Sequence, residues 1–483
     1  MRTRHTAVLA WAITLPLSLS LGISSPAATA HEKIKTQAVA DIEARRADLI
    51  DLSNKVWSFA ETALKETRSS ALLADYAEKS GFRVKRGVAG LPTAFTAEFG
   101  EGKPIIGIMG EYDALPGLSQ KAQPTRAALQ SGAPGHGCGH NLLGVGALGA
   151  ALAVRERIKS GELKGTVRYY GTPAEEAVGG KVYMAREGLF KDVDVMLGWH
   201  PDSVTKADTG SSQALVDLRV EFHGKSAHAA FDPWNGRSAV DGMELFLHGV
   251  NMLREHVRPT VRMHYTIQNG GDVPNVVPEY ARVWLWLRDR QRSGVEQVLQ
   301  RVREAAEGAA RMAGVSLTFT VQGGDYEILI NEQGARLLQD NLNWLGPLQF
   351  NEVEQDFARQ LQRETGTDPT GLDGSIHAWD ERDEEGGSTD VGDVSWNVPT
   401  IHLNVTTAPA KSPWHAWPVV AAGGMSIGHK GMLQASKALA ATMIDLFQDQ
   451  SVRAAIRAEF DQKTRGQLYK PYIPDGPPPL PAQ

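Results

Sequence analysis

The run Ile105-Ile106-Gly107-Ile108-Met109 leads straight into Gly110-Glu111-Tyr112-Asp113. A short apolar stretch of this kind suits a strand buried on both faces, with the polar residues marking its carboxyl end. Thr166–Tyr170 and Val193–Leu197 repeat the pattern, each followed by residues of chemical interest. Helical stretches lie between them, at Leu142–Lys159 and Gly180–Leu189. Strands alternating with helices predict an α/β fold with a mixed, mostly parallel sheet. Such sheets place their sites at the carboxyl ends of the strands.

Upstream, residues 32–82 read as helical, with Ile42, Leu49, Ile50, Leu52, Val56 and Ala60 at helical spacing. Downstream the pattern changes near Ser211. Ala214–Phe222 alternates as a strand does, and a helix follows over Val240–Arg254. Two strands (Arg262–Gln268, Ala281–Arg288), a helix (Gly294–Ala313) and a strand (Ser316–Val321) complete the series. The order β-α-β-β-α-β is the ferredoxin-like split pattern. Residues 211–323 are therefore expected to form a small α+β domain inserted into a larger one, which spans 31–210 and resumes over 324–448. Asp368–Gly387 is acidic and Gly-rich and reads as a surface loop. Residues 449–483 form a C-terminal extension whose Pro-rich tail, Pro471–Gln483, is expected to be extended or disordered.

A chain of 483 residues has room for about two domains. Its net charge of −6 gives no footing for nucleic acid as a partner. Arg2 and Arg4, an apolar run from Ala7 to about Ile23, and Ala28-Thr29-Ala30 are the three parts of a signal peptide, residues 1–30, cleaved after Ala30. An uncut membrane anchor is the other reading, and no other stretch approaches the roughly 20 apolar residues of a spanning helix. The mature protein is thus expected outside the cytoplasm, periplasmic or secreted. Cys138 is the single cysteine, so no intramolecular disulfide explains it, and a buried or metal-bound thiol is expected.

Three segments carry chemistry. Gly135-His136-Gly137-Cys138-Gly139-His140-Asn141 brings a thiol, an imidazole and a carboxamide to one point, and its glycines let the backbone approach an ion. Thiolate and imidazole suit zinc-like ions, while a Gly-rich turn around a buried Cys is the plainer reading. Gly171-Thr172-Pro173-Ala174-Glu175-Glu176 follows the second strand. One of two adjacent carboxylates there can bind metal while the other takes a proton from water, although adjacent glutamates are commonly solvated surface. His200 follows the third strand in Gly198-Trp199-His200-Pro201-Asp202. Alone it would be a structural histidine; three such groups at three strand ends point to one site. Asp113, at the end of the first strand, suits the orienting of a ligand histidine.

The segments GEYDALPG, GHGCGHN, GTPAEEAVGGK, GWHPD, HGKSAHAAFDPWNGRSAVDG, GGDVPNVVPE, STDVGDVSW and SIGHKGM, in that order, resemble a two-metal amidohydrolase and carboxypeptidase family. That family includes aminoacylases, glutamate carboxypeptidases and auxin-conjugate hydrolases, and the likeness is to its p-aminobenzoyl-glutamate hydrolase subgroup. The resemblance implies a zinc-exopeptidase-like catalytic domain with an inserted lid and dimerisation domain. It implies two divalent ions, zinc first, with manganese, cobalt or nickel also suited. Their ligands would be Cys138, His140, Glu176, His200 and a C-terminal histidine. Ser412-Pro413-Trp414-His415-Ala416-Trp417 makes that histidine His415; His429 in SIGHKGM is the competitor, better suited to a structural place at a helix start. Glu175 becomes the general base. His228 becomes the residue that polarises the substrate carbonyl, supplied in the family by the partner subunit, with a plain loop histidine as the other reading. Asn275 is implied to hold substrate, and Asp113 is also placed at the site; Arg288 or Arg290 could clamp a carboxylate through bidentate bonds, with a solvated arginine as the plainer reading.

The expected reaction is hydrolysis of the amide of an N-acyl amino acid, the acyl group aromatic as in p-aminobenzoyl-glutamate. Trp234, Trp396, Trp414 and Trp417 are candidates for an acyl pocket or for ordinary core packing. A metal-dependent dipeptidase or aminopeptidase of the same fold is the alternative. A Cys138 thiol hydrolase and a non-catalytic binding protein are further ones. A homodimer through the inserted domain is expected.

Overall fold

The computed structural model describes residues 26–380 and 386–480. Residues 1–25 of the expected signal peptide, and 381–385 of the acidic loop, lie outside the described residues. The first part of the chain supplies β1 (Arg83–Arg86), β2 (Phe95–Glu101), β3 (Ile105–Glu111), β4 (Gly165–Thr172), β5 (Val195–Asp202) and β6 (Lys206–Asp208). The inserted segment supplies β7 (Ala214–His223), β8 (Arg262–Asn269), β9 (Tyr280–Asp289) and β10 (Ser316–Asp325), and β11 (Thr400–Thr406) follows.

The larger sheet has the order β1-β2-β4-β3-β5-β11-β6. Its centre, β4-β3-β5-β11, is parallel, and antiparallel β2 and β6 flank it. The mixed, mostly parallel sheet read from the short apolar runs is therefore present. β3, β4 and β5 are buried along nearly their whole length, as strands covered on both faces must be.

The helix His140–Lys159 lies against this sheet, with every residue from His140 to Val154 buried. Its glycines make the contact close. A Cβ at Gly144 would stand 2.5 Å from the Glu111 carbonyl oxygen, and one at Gly146 would stand 2.8 Å from the Trp199 ring. The indole Nε1–H of Trp199 donates to the Leu143 carbonyl at 2.9 Å. The helix is thus pinned so that His140, its first residue, sits at the carboxyl edge of β3 and β5. The long helix Ser426–Gln448 packs beside it and also touches β11 and β5 of the sheet, and Ser436 donates to the Gly146 carbonyl at 2.7 Å.

The helical stretch expected over 32–82 is three helices: Pro26–Ala44, Arg46–Phe59 and Thr67–Lys79. The break after Phe59 comes where Ala60 and Leu64 adopt positive φ, a left-handed geometry that stops a helix.

The inserted segment is a four-stranded antiparallel sheet ordered β10-β7-β9-β8, with the helices Ala239–Leu253 and Arg292–Ala313 packed on one face. Alternation accounts for its core. Val216, Leu218, Val220 and Phe222 of β7 and Ala281, Val283, Leu285 and Leu287 of β9 point inward, away from their polar neighbours. After the larger body, the helix Gln450–Thr464 packs back on it, with Ile456 fully buried. Residues 471–480 of the Pro-rich tail carry no helix or strand, and the approach to it and its start are tethered to both bodies: Tyr469 donates to Asp393 and Tyr472 to Glu296, each at 2.7 Å.

Candidate metal centre

Each strand end delivers its group to one place. β3 brings Glu111 and Asp113, the loop after β4 brings Glu175 and Glu176, and β5 brings His200. The loop Gly135–Gly139 adds Cys138 and turns into the helix at Gly139, whose φ of +76° is one that glycine adopts freely. The segment around His415 is tied to the same loop through the His415 N–H, which donates to the Gly137 carbonyl at 3.1 Å. Ala174 and His415 both hold left-handed backbone, a strain commonly stored at functional sites.

Two of the donor triplets that result share Cys138. Cys138, His140 and His200 present ligand atoms within 4.8 Å of one another, and so do Cys138, Glu176 and His415. Cys138 belongs to both. Its Sγ is 3.3 Å from His200 Nε2, and His415 Nε2 is 3.3 Å from Glu176 Oε2. Asp113 braces the pair: its Oδ1 is 3.0 Å from His140 Nδ1, and its Oδ2 accepts from the Glu176 N–H at 3.0 Å. That contact assigns the proton to Nδ1 and leaves His140 Nε2 as a lone pair. His200 Nδ1 donates to the Pro201 carbonyl at 2.7 Å, freeing its Nε2 in the same way.

His140 Nε2 and Glu176 Oε1 are buried without a hydrogen-bond partner. Such orphans cost about 1–3 kcal/mol each, and a bound cation relieves them. Thiolate, imidazole and carboxylate form a donor set that fits a zinc-like ion.

The electrostatics agree with a place built for cations. Burial, then Glu111 and Glu176 nearby, push the Glu175 carboxyl well above the ordinary range. Burial also raises Glu176 and the Cys138 thiol. It lowers His200 to about 4, with His140 adding to the effect. Too many acidic groups face one another for the protein's own cations to satisfy. The exception is Glu111: burial opposes its ionisation, but Lys181 and His140 outweigh that and bring it to about 2. Lys181 is fully buried, 2.6 Å from both Glu111 Oε1 and Asp390 Oδ1.

The centre opens into a cleft of about 400 Å³, walled by Asp202, Ser211, Ser388, Thr389 and Asn404. The Ser388 hydroxyl is buried there with no hydrogen-bond partner. Of the residues singled out in the sequence, Cys138, Glu175, Glu176, His200 and His415 line the cleft, with His140 and Asp113 directly behind them. The others lie elsewhere in this chain. His228 and Asn275 are exposed and pair with each other's loops, through the bridge His228–Val276 and the Ala229 N–H to the Asn275 carbonyl. Arg288 lies over the Trp286 ring, on the open face of the smaller sheet, and Arg290 is exposed. His429 faces Asn54 at 2.9 Å, inside the first turn of its helix. Trp414 neighbours His200, with ring centroids 5.8 Å apart; Trp396 packs tilted against Tyr326, Trp417 packs near Ala421, and Trp234 is exposed. Glu111, Lys181, Asp390 and Ser388 were not picked out by the sequence reading, although GEYDALPG, GTPAEEAVGGK and STDVGDVSW contain them.

The pattern of peptidase family M20/M25/M40 matches residues 107–342. The chain is 38% identical over 470 residues to one of the subunits of the p-aminobenzoyl-glutamate hydrolase of Escherichia coli (strain K12), covering 91% of this chain and 97% of that protein. It is 29% identical to the Xaa-Arg dipeptidase of Mus musculus, over 89% of this chain and 93% of that one. A Bacillus subtilis protein described as a dinuclear metal-binding peptidase of the M20 family shares the fold, with a TM-score of 0.57 and 19% identity over 84% of this chain and 99% of that one. Fold and relatives together define a hydrolase of amide and peptide bonds. The chain belongs to the M20/M25/M40 peptidases.

Proposed function

We propose that this protein hydrolyses the amide bond of N-acyl amino acids with an aromatic acyl group, p-aminobenzoyl-glutamate foremost, using two divalent ions. The observation that carries the reading is the pair of donor triplets sharing Cys138, with Glu175 beside them. Cys138, His140 and His200 would hold one ion, and Cys138, Glu176 and His415 the other. When bound, such ions polarise a carbonyl and lower the pKa of water; zinc suits the thiolate best, and manganese, cobalt or nickel would suit the remaining donors. Glu175 accepts the proton of the attacking water on a carboxylate oxygen and passes it to the leaving nitrogen. Asp113 keeps His140 and the Glu176 backbone in place throughout. The free Ser388 hydroxyl and the Asn404 amide on the cleft wall suit the carboxylate of an amino-acid product.

The inserted domain completes the site. His228 polarises the substrate carbonyl, Asn275 holds the substrate and Arg288 clamps a carboxylate. None of them lines the cleft of their own chain, so they act through a second copy or through closure of the domain. Phe231, Trp234, Val273 and Val276 are exposed around His228 and Asn275, an apolar surface that suits a homodimer through this domain. We also propose that the protein is exported, from the leader with Arg2, Arg4 and Ala28-Thr29-Ala30. Among the described residues no helix is long and apolar enough to cross a membrane.

The test is a panel of p-aminobenzoyl-glutamate, other N-acyl amino acids and dipeptides, including dipeptides ending in arginine. Fastest hydrolysis of the aromatic-acyl substrates is expected. A preference for dipeptides with a free amine would replace this reading with the dipeptidase one.

A further inference from the structure

Glu111 stands on the cleft beside Glu175, and the scheme above gives it no role. Its two oxygens have different company. Oε1 lies 2.6 Å from Lys181 Nζ. Lys181 is clamped from the far side by Asp390, whose Oδ1 is 2.6 Å from the same Nζ and whose Oδ2 accepts from the Lys181 N–H at 2.8 Å. This leaves Oε2, which lies 3.1 Å from His140 Nε2.

That contact is unusual for a neutral imidazole, which has one N–H to give. His140 gives it to Asp113, 3.0 Å from Nδ1. With His140 neutral, Nε2 and Glu111 Oε2 meet as two lone pairs, and two things reconcile acceptors this close: a second proton on His140, or a metal ion that takes both as ligands. Two donors on one tetrahedral ion, with bonds of about 2.1 Å, stand about 3.4 Å apart. The separations of 3.1 Å for Glu111–His140 and 3.3 Å for Cys138–His200 are of that size. Glu111, His140 and Glu175 moreover form a third triplet with donor atoms within 4.8 Å of one another, sharing His140 with the first.

We infer that Glu111 is a further metal ligand, giving Oε2 to the ion that His140 holds, while the Lys181–Asp390 pair fixes its other oxygen. This rests on the two-ion reading above. A donor on that ion next to Glu175 places the ion beside the base, and the buried lysine offsets the extra negative charge without competing for the ligand oxygen.

The experiment is a cobalt(II) titration of chelator-stripped protein, following bound metal and the visible absorption of the cobalt. Wild type is expected to take two ions. Glu111→Gln, nearly the same shape, is expected to bind one of them roughly tenfold or more weakly and to leave the other unchanged. At saturating cobalt its absorption band is expected to differ from wild type, because a donor has been exchanged. Glu111→Asp, which keeps the charge but shortens the reach, is expected to shift the band as well, and thermal melting of both stripped variants checks that they fold. Two ions bound with wild-type affinity in Glu111→Gln would overturn the inference. So would weakened binding with an unchanged band in both variants, which would make Glu111 a support for His140 only. Fewer than two ions in wild type would overturn the two-ion reading itself, a failure visible before any variant is made.

Discussion

The carboxyl edge of β3, β4 and β5 and the outer loops of the inserted domain both carry candidate residues, and the fold treats them in opposite ways. At the sheet edge Cys138 and His140 are buried, Glu175, Glu176 and His200 are half-buried, and each is held by a helix start, a strand end or a bond to Asp113. On the inserted domain His228 and Asn275 are exposed, held by bonds within the His228 turn and between their two loops. Buried donors fixed by packing are in place before substrate arrives. Exposed groups on a separate small sheet act only after a second encounter. On the proposed function the difference separates a part of the site that would bind ions from a part that would meet substrate, and mutations in the two regions should fail differently.

The largest effect is expected from Glu175→Gln. Removing the base should lower kcat by about 10²–10⁴-fold while bound metal, measured by elemental analysis, stays at the wild-type level. A variant that lost metal instead would make Glu175 a ligand rather than a base. On the other side, His228→Ala should lower kcat by about 10²–10³-fold, again with metal unchanged, as removal of an oxyanion donor does. Mixing it with Glu175→Gln under conditions that exchange subunits should restore part of the activity if His228 serves the partner's cleft. No recovery, in a mixture shown to form mixed dimers, would place His228 in its own chain's site through domain closure.

Asp113→Asn sharpens the sheet-edge side. It weakens the support of His140 without touching the donors, so metal affinity should fall by roughly 10–100-fold, read in a competition titration with a chelator. His429→Gln should leave metal content and activity unchanged, because His429 faces Asn54 and not the centre. Its effect is on acid stability. Burial lowers His429 from near 6.5 to about 4. A base depressed by folding costs nothing above pH about 6.5 and destabilises as pH falls towards 4, because the unfolded chain binds the proton first. His429→Gln should therefore recover stability at pH about 4.5 relative to 7.5, by no more than about 3 kcal/mol, in urea unfolding at the two pH values. His136, also lowered to about 4 by burial, leaves part of the acid loss in place.

The two regions also differed in what the sequence disclosed. The strand ends were legible because a short apolar run followed by Glu, His or Asp has few other readings, and Gly135–Asn141 names its donors within seven residues. The inserted domain was legible as a fold, since strict alternation in Ala214–Phe222 and Ala281–Arg288 admits only half-buried strands. Its position relative to the cleft was not, because alternation says which face is buried and nothing of where the sheet sits. The Glu111–Lys181–Asp390 chain was hidden for a different reason: Lys181 and Asp390 are 209 residues apart, and only the packing of the helix Gly180–Arg186 brings them together. The break after Phe59 turned on the positive φ of Ala60, which an alanine in a helical pattern does not announce.

The central claim is that two ions sharing Cys138, with Glu175 as base, carry out the hydrolysis. The most direct measurement is p-aminobenzoyl-glutamate hydrolysis by stripped protein as zinc or manganese is added back, in wild type and in Glu175→Gln, with bound metal counted in each. The account predicts no activity without metal, full wild-type activity as the second ion binds, and a Glu175→Gln protein that binds two ions and stays inactive. Hydrolysis that survives chelation, or that persists in Glu175→Gln at the wild-type rate, would contradict it and turn attention to the Cys138 thiol.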